Sequence, residues 1–330
     1  MDPLTHSLTG VLMSRAGFDR LTPRAPWIML LAANAPDCDI VTAFGGSLNY
    51  LHYHRHITHS LVMLPVLPLA CVLLVRLASR KPLNWLGAYF IAFIGVASHL
   101  VLDLTNIYGV RLLLPFSARW LRWDITGVID FWIWGVLLLA IFAPAVVRLV
   151  NAEIGAATQP KGGARRGFAI FALLFLLLYD GGRSIAHARA VDTLESRIYN
   201  GSAPRRVAAL ASQNPFRWRG LIETAESYVI QDVNLLGEFD PSARPYYKPE
   251  PSPAFDAARR TEVFQEFLRF SQYPFWQMTP SDESEGATRV EALDLRFGDP
   301  QEPGFVATAI LDARQQVTRA WFQFGAARPR

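Results

Sequence analysis

Residues 82–103 read PLNWLGAYFIAFIGVASHLVLD, and this stretch decides the fold class. Its first 21 residues, 82–102, contain no Lys, Arg, Asp or Glu. A helix needs about 20 predominantly apolar residues to cross the hydrocarbon core of a bilayer. The stretch therefore predicts a membrane-spanning helix. Ionisable groups at membrane depth are costly unless they are paired or functional, which draws attention to His99 and Asp103 at its end.

Five further uncharged runs surround this helix in the first 180 residues. Three of them extend toward spanning length, and two of about 12 residues are short enough to be re-entrant or protein-buried helices. The longer runs are residues 61–75, 131–147 and 167–179, and the shorter ones are residues 3–14 and 25–36. We expect six membrane helices. The alternative is four spans, with the first helix pair lying at the interface.

Composition agrees with a membrane protein. Hydrophobic residues make up 51% of the 330 residues and charged residues 18%, against about 25% charged in soluble proteins. The first 150 residues hold eleven Lys and Arg, seven Asp and no Glu. Basic residues are scattered between the apolar runs, so we expect membrane lipids as partners and no nucleic acid. The two cysteines, Cys38 and Cys71, are too few for a disulfide framework and are expected to be reduced.

The second half of the chain predicts a separate soluble domain. The expected fold class is mainly α: a polytopic α-helical membrane domain over residues 1–185, then a soluble α+β domain over residues 186–330 with an antiparallel sheet. Residues 186–199 and 255–270 are typical of helices, and the proline-rich residues 240–253 of a loop. Strands are expected at residues 290–297, 305–311 and 317–324.

The positive-inside rule gives an orientation in the bacterial inner membrane. Ten basic residues share one side if the chain has six spans, and we place that side in the cytoplasm. They are Arg15, Arg20, Arg24, Arg76, Arg80, Lys81, Arg148, Lys161, Arg165 and Arg166. The opposite, periplasmic face then holds residues 1–6, 36–60, 103–130 and everything after about residue 183.

Histidine and aspartate concentrate at that outer face. Six of the seven histidines fall in the first 99 residues, namely His6, His52, His54, His56, His59 and His99. Asp37, Asp39, Asp103 and Asp130 accompany them. Imidazole and carboxylate ligands together suit zinc, manganese or iron, so the sequence predicts a metal site. Asp130 begins a helix, and complementing the helix dipole is its simpler role.

Local spacing supports the metal site. His99 and Asp103 are four residues apart and share one helix face. Asp37 and Asp39 follow Pro36, and in extended backbone both carboxylates would approach the same ion or two neighbouring ions. His59 is expected to begin a long helix.

Four motifs in this order resemble the YdjM-like family of bacterial inner-membrane proteins, which are described as predicted metal-dependent hydrolases. The motifs are Asp2-Pro3-Leu4-Thr5-His6, Pro36-Asp37-Cys38-Asp39, His54-Arg55-His56-Ile57-Thr58-His59-Ser60 and Ser98-His99-Leu100-Val101-Leu102-Asp103. Thr105, Asn106, Gly109 and Pro115 also resemble the family's next stretch. The resemblance covers roughly residues 1–150 and implies a metal and catalytic set of His6, Asp37, Asp39, His54, His59, His99 and Asp103. A weaker similarity links the chain to the zinc-dependent phospholipase C and nuclease superfamily.

These residues imply a membrane-bound hydrolase that uses metal-activated water, with zinc as the expected ion and manganese or iron as alternatives. Asp37 or Asp39 is the candidate general base. Arg55 either holds a substrate phosphate or carboxylate, or pairs with a lipid headgroup or an Asp. A site near the headgroups favours a lipid-like ester or phosphoester as substrate. The alternatives are an ion transporter, or a non-enzymatic metal-binding protein whose outer domain binds a partner.

Overall fold

A computed structural model describes residues 1–79, 82–154, 163–237 and 244–325. The chain divides into two compact units. The first comprises Met1–Asp39, Arg55–Ala188 and Ala211–Phe216, and the second comprises Ile40–His54, Arg189–Leu210 and Arg217–Arg330.

The first unit is helical. Its helices are α1 (Pro3–Ala16), α2 (Ala25–Ala32), α4 (Val66–Ser79), α5 (Trp85–Thr105), α6 (Phe131–Glu153) and α7 (Gly163–Glu195), whose last turns enter the second unit. Short 3-10 helices are present at Phe18–Arg20, Pro36–Gly45 and Ile57–His59. Asp2 fixes the start of α1, because its carboxylate accepts hydrogen bonds from the N–H groups of Leu4 and Thr5.

Among the described residues, three helices are long and apolar enough to cross a membrane. They are α5, α6 and α7, and α2 with the 3-10 helix Pro36–Gly45 forms a pair bent by 51° that adds one span at most. This corrects the expectation of six spans. The run at residues 61–75 gives only the 14 residues of α4, about 21 Å of helix, which is shorter than the roughly 30 Å hydrocarbon core.

Two apolar clusters hold these helices together. One joins α2, α4 and α5 through side chains such as Met29, Val72 and Ile91, and the buried Cys71 belongs to it. The other joins α1, α6 and α7 through Leu12, Leu137, Ala169 and their neighbours. Both cysteines are free. The packing fixes α5 in place, and α5 carries two residues of the candidate site.

The second unit is an α+β domain with two antiparallel sheets. It contains α3 (Ser47–Tyr53), the strands β1 (Arg206–Ala211), β2 (Arg217–Glu223), β3 (Ser227–Asn234), β4 (Arg244–Tyr247), β5 (Pro274–Pro280), β6 (Thr288–Asp294), β7 (Phe305–Leu311) and β8 (Val317–Phe324), and the helices α8 (Pro253–Arg259) and α9 (Glu262–Phe270). The sheet orders are β1-β2-β3-β4 and β5-β6-β7-β8. The predicted fold class, a helical membrane domain followed by an α+β domain, is confirmed.

Several local predictions need correction. Residues 255–270 form two helices, because Thr261 caps α9 by accepting a hydrogen bond from Phe264 N–H. The strand expected at 290–297 ends at Asp294, whose side chain accepts from Arg296 N–H and starts a 3-10 turn. The expected loop at 240–253 contains β4, and its first four residues lie outside the described part of the chain.

Candidate metal centre

Four side chains of the first unit converge on one point. Asp37 lies in the 3-10 helix Pro36–Gly45, His59 ends the short 3-10 helix Ile57–His59, and His99 and Asp103 lie one turn apart on α5. The side chains of His59, His99 and Asp103 are completely buried, whereas that of Asp37 is 17% exposed. The group therefore has one open side, which Asp37 occupies.

The ligand atoms are spaced as a metal ion requires. His59 Nε2 lies 3.2 Å from His99 Nε2, and both nitrogens lie 3.4 Å from Asp103 Oδ2. Asp37 Oδ1 is 3.4 Å from His59 Nε2 and 3.7 Å from His99 Nε2. The edges of a tetrahedron around zinc, with bonds of 2.0–2.2 Å, are about 3.3–3.6 Å long. The five interatomic separations, 3.2–3.7 Å, are close to the edges of such a tetrahedron.

Hydrogen bonds behind the two histidines aim their Nε2 atoms at this point. His99 Nδ1 lies 2.7 Å from the carbonyl oxygen of Ala33, which can only accept, so Nδ1 carries the proton. His59 Nδ1 lies 3.2 Å from Asp39 Oδ2 and 3.1 Å from Thr58 Oγ1, which itself donates to Asp39. In both rings the neutral imidazole would therefore keep its proton on Nδ1 and offer the Nε2 lone pair to a metal, as in carboxylate–histidine–metal arrangements.

The electrostatics of the cluster favour a cation. Asp103 Oδ2 is buried and accepts no hydrogen bond from the described residues, although it faces both histidines. Burial lowers the pKa of His59, but the carboxylates of Asp103, Asp37 and Asp39, each with an oxygen within 3.4 Å of a ring nitrogen, outweigh it and raise the pKa to about 10. The carboxylates thus stabilise the protonated imidazole of His59. A divalent ion at this position would stabilise the same carboxylates in place of that proton.

Arg55 contacts the cluster at Asp103 Oδ1, whereas His59 and His99 face Asp103 Oδ2. Its guanidinium donates to Asp103 Oδ1 at 2.8 Å, to the Gly109 carbonyl at 2.9 Å and to Asn106 Oδ1 at 3.2 Å. It stacks over the Tyr108 ring at 4.7 Å, and only 3% of Arg55 is exposed. The amino group of Met1 also contacts Asp103 Oδ1. Of the expected roles for Arg55, the structure shows the pairing with an Asp.

His6 belongs to the same cluster without joining the four ligand atoms. Its ring stacks on His99 with centroids 3.7 Å apart, and its Nε2 lies 3.4 Å from Asp103 Oδ1. The side chain is fully buried, and neither ring nitrogen has a hydrogen-bond partner among the described residues. His6 therefore fixes the plane of the His99 ring from α1.

Other predicted residues take different places. Asp39 supports His59 rather than facing the shared point, and His54 lies in the second unit, where its ring stacks on Tyr50 at 4.5 Å. His52 pairs with Glu266 at 2.6 Å. Asp130 caps α6 by accepting from the N–H groups of its first turn, as its position at a helix start predicts.

Two expectations about the local backbone were wrong. Asp37 and Asp39 lie in a 3-10 helix rather than in extended chain; Asp37 belongs to the four-ligand group, and Asp39 contacts the other ring nitrogen of His59, Nδ1. His59 ends a 3-10 turn, and the next helix begins seven residues later at Val66.

The sequence indicated a supporting role beside His59 for Thr58 or Ser60, and the structure shows it for Thr58, but the sequence assigned no role to Ala33 or Asn106 in orienting the ligands. Asn106 Oδ1 accepts from Arg55 and from the N–H groups of Tyr108 and Gly109. An Asn immediately after a helix, followed by Gly three residues later, is a turn signal that could have marked this position. Nothing in the sequence identifies a backbone acceptor such as the Ala33 carbonyl.

Comparison with known proteins agrees with this organisation. Residues 253–324 match the YfhP C-terminal alpha/beta plait domain. The chain is 24% identical to the uncharacterized protein YfhP of Bacillus subtilis (strain 168), over 93% of this chain and 90% of that protein. It is 31% identical to the inner membrane protein YbcI of Escherichia coli (strain K12), over 39% of this chain and 76% of that protein. No solved structure matches the chain.

The helical half carries the family assignment. Residues 1–190, more than half of the chain, match the family model described as YdjM inner membrane protein. The matched region contains the three apolar helices and all four side chains that could hold a metal ion. The protein is therefore an inner-membrane protein with a possible His/Asp metal site, and it belongs to the YdjM inner membrane protein family.

Proposed function

We propose that this protein is a metal-dependent hydrolase of the inner membrane. The observation that carries the proposal is the set of two imidazole nitrogens and two carboxylate oxygens at the spacing of one coordination sphere, with one ligand at an open side. Structural metal sites are closed, whereas catalytic sites keep a position for water or substrate. Asp37, the one partly exposed member, marks that position.

Zinc is the ion that we propose, held by His59, His99 and Asp103 with Asp37 at the open side. Two nitrogen donors and one oxygen donor, with the fourth position left for water, suit catalytic zinc, and manganese or iron would accept the same set. When bound, such an ion lowers the pKa of water and polarises an ester or phosphoryl oxygen.

The neighbouring side chains supply the general base and orient the two imidazoles. Asp37 accepts the proton of the attacking water through its carboxylate, because Asp39 is engaged with His59, Thr58 and the Arg55 N–H. The Ala33 carbonyl and Asp39 keep the two imidazoles in the required tautomer. Among the candidate general bases, Asp37 is therefore the one we propose.

The substrate that we propose is a lipid-like ester or phosphoester, presented by membrane lipids. Two ligands lie near the end of a membrane-spanning helix, where headgroups gather. We further propose that the site and the C-terminal domain share the periplasmic side. Three successive spans, α5, α6 and α7, would bring the C-terminal ends of α5 and α7 to one side, and basic residues near the connection of α6 and α7 favour the cytoplasm for the other.

One observation favours a second candidate function, a non-enzymatic metal-binding protein whose outer domain binds a partner. The four protein ligands already complete a tetrahedron, which is typical of structural zinc sites. The two functions differ in what Asp37 does. In a structural site, Asp37 holds the ion as tightly as the other three ligands. In the hydrolase, it can be replaced without loss of the ion.

The test combines metal analysis with turnover. Detergent-purified wild type is compared with His99→Ala, Asp37→Asn and the control His52→Ala, whose histidine pairs with Glu266 outside the four-ligand group. We expect bound metal in the wild type, the control and Asp37→Asn, and loss of metal in His99→Ala. Hydrolysis of phosphodiester and carboxylester lipid substrates should disappear in both site variants. Metal-free wild type, or full turnover in His99→Ala, would refute the proposal, and metal without turnover on any substrate would favour the second candidate.

A further inference from the structure

Arg55 is a charged side chain that contacts the candidate ligands without being a ligand itself. A side chain of this length at 3% exposure is unusual unless its charge is paired. Its guanidinium donates hydrogen bonds to the buried groups Asp103, Asn106 and Gly109. A substrate phosphate would have to displace these bonds to use the guanidinium. This arrangement does not suit a substrate-binding arginine.

Arg55 instead contacts two carboxylates of the candidate centre, those of Asp103 and Asp39. Its guanidinium donates to Asp103 Oδ1, while its backbone N–H donates to Asp39 Oδ2 at 2.9 Å. Asp39 Oδ2 is the atom that faces His59 Nδ1. One residue thus orients a ligand directly and a second ligand, His59, through its supporting carboxylate.

The backbone of Arg55 is adapted to this double contact. Its φ angle is +56°, in the left-handed region that residues other than glycine seldom adopt. Such conformations persist where surrounding interactions determine them, and they cluster at functional sites. The interactions here are the N–H bond to Asp39 and the inward guanidinium, so the strained conformation serves both contacts at once.

The pairing also determines which oxygen of Asp103 is available. Arg55 occupies Oδ1 together with the amino group of Met1, and Oδ2, which has no hydrogen bond from the described residues, faces His59 and His99. A second cation at Oδ1 would lie against the guanidinium charge. We infer that Arg55 is a positioning residue that makes Asp103 a one-oxygen ligand and disfavours a second cation at Asp103 Oδ1. The inference rests on the proposed metal centre.

The experiment measures metal binding rather than turnover. Zinc content, zinc affinity by chelator competition and the visible spectrum of cobalt-loaded protein are compared for wild type, Arg55→Ala and Arg55→Lys. Arg119→Ala is the matched control, because Arg119 is exposed in the segment between α5 and α6. We expect one zinc per wild-type chain. Affinity should fall about 10–100-fold in both Arg55 variants, as is usual when a residue that orients metal ligands is removed.

The cobalt spectrum separates positioning from a general structural effect. Because absorption by bound cobalt depends on its ligands and their geometry, it should change in both Arg55 variants and stay constant in Arg119→Ala. If Arg55→Lys has the zinc affinity and cobalt spectrum of the wild type, the inference is wrong. This result is decisive even if Arg55→Ala does not fold. A wild type that binds no metal would refute the proposed function itself, which the other outcomes leave standing.

Discussion

Asp39 illustrates how a carboxylate can serve a metal site without touching the ion. It contacts His59 Nδ1 and accepts from Thr58 and the Arg55 N–H, while His59 Nε2 faces the other ligands. We predict that Asp39→Ala lowers zinc affinity about 10–100-fold but leaves the site able to bind one ion at saturating metal, because the four ligand atoms remain. Competition with a chromogenic chelator measures both quantities.

The matched control for this variant is Asp19→Ala, because Asp19 is exposed in the 3-10 helix Phe18–Arg20. Its zinc affinity should equal that of the wild type. Complete loss of zinc in Asp39→Ala at saturating metal would instead make Asp39 a ligand, as the resemblance to the family implies.

Protonation of His59 gives a second prediction at this scale. The pKa of this ring is about 10, so the metal-free protein carries its proton at pH 7. A metal ion needs the neutral imidazole and must displace that proton. Zinc binding at pH 7 should therefore release about one proton per ion from this group, and affinity should weaken further as the pH falls. Calorimetry in buffers of different ionisation enthalpy measures the release, and binding without proton release would contradict the assigned pKa.

At the residue scale, the sequence was informative where chemistry depends on residue type. His59, His99, Asp37 and Asp103 could be named from their types and spacing because few ionisable residues occur near the apolar runs. Which of the predicted residues are ligands and which only support a ligand could not be predicted. Whether an Asp faces the ion or supports a histidine depends on the pitch of a 3-10 helix, which periodicity over three or four residues does not reveal.

At the scale of elements, α2 is packed closely against both α1 and α5. A Cβ atom built on Gly10 of α1 would lie 2.9 Å from Ala33 Cβ, and one built on Gly95 of α5 would lie 2.8 Å from Ala32 Cβ. Small residues allow membrane helices to approach in this way. The close approach also positions the site, because the Ala33 carbonyl binds His99, one turn after Gly95.

We predict that Gly95→Ala disturbs packing and metal binding together. The added methyl must push α5 from α2, an overpacking that costs about 1–3 kcal/mol and shifts His99 relative to the Ala33 carbonyl. Gly135→Ala on α6 is the matched control, since no atom of the described residues, apart from the local backbone of α6, lies within 4 Å of its added Cβ. Thermal unfolding and zinc affinity should fall in the first variant and stay near wild type in the second. Equal behaviour of the two variants would show that the α2–α5 contact does not support the site.

Apolar runs predicted the existence of helices better than their lengths. The run at residues 82–102 became the spanning helix α5, whereas the run at 61–75 yielded only α4. Its first five residues form turns that end at Pro65, and proline disfavours helical backbone in the residue before it. The break between α8 and α9 has a similar local cause in the capping side chain of Thr261. Such capping and proline effects act on single residues inside an otherwise helical pattern.

At the scale of the whole molecule, the contrast in charge between the two halves predicted a membrane part and an α+β part. The strands β1, β2 and β3 could not be placed from the sequence, because their burial patterns show runs of buried residues rather than strict alternation. Contacts within the structure also assign Ile40–His54 to the second unit, although this segment precedes most of the membrane helices in the chain. Such long-range assignments depend on tertiary packing and leave no periodic signal.

The sidedness of the molecule can be tested with its own cysteines, since Cys38 is exposed and Cys71 is buried. If the site faces the periplasm, a membrane-impermeant maleimide should label Cys38 in spheroplasts, and Cys38→Ala should abolish the labelling. A cysteine introduced as Ala164→Cys in the Cys38→Ala protein, at the exposed start of α7, lies beyond the span of that helix. It should react only after the membrane is permeabilised. If the introduced cysteine reacted in intact spheroplasts and Cys38 only after permeabilisation, the site and the C-terminal end of α7 would face the cytoplasm. A lipid-like substrate would then have to come from the inner leaflet.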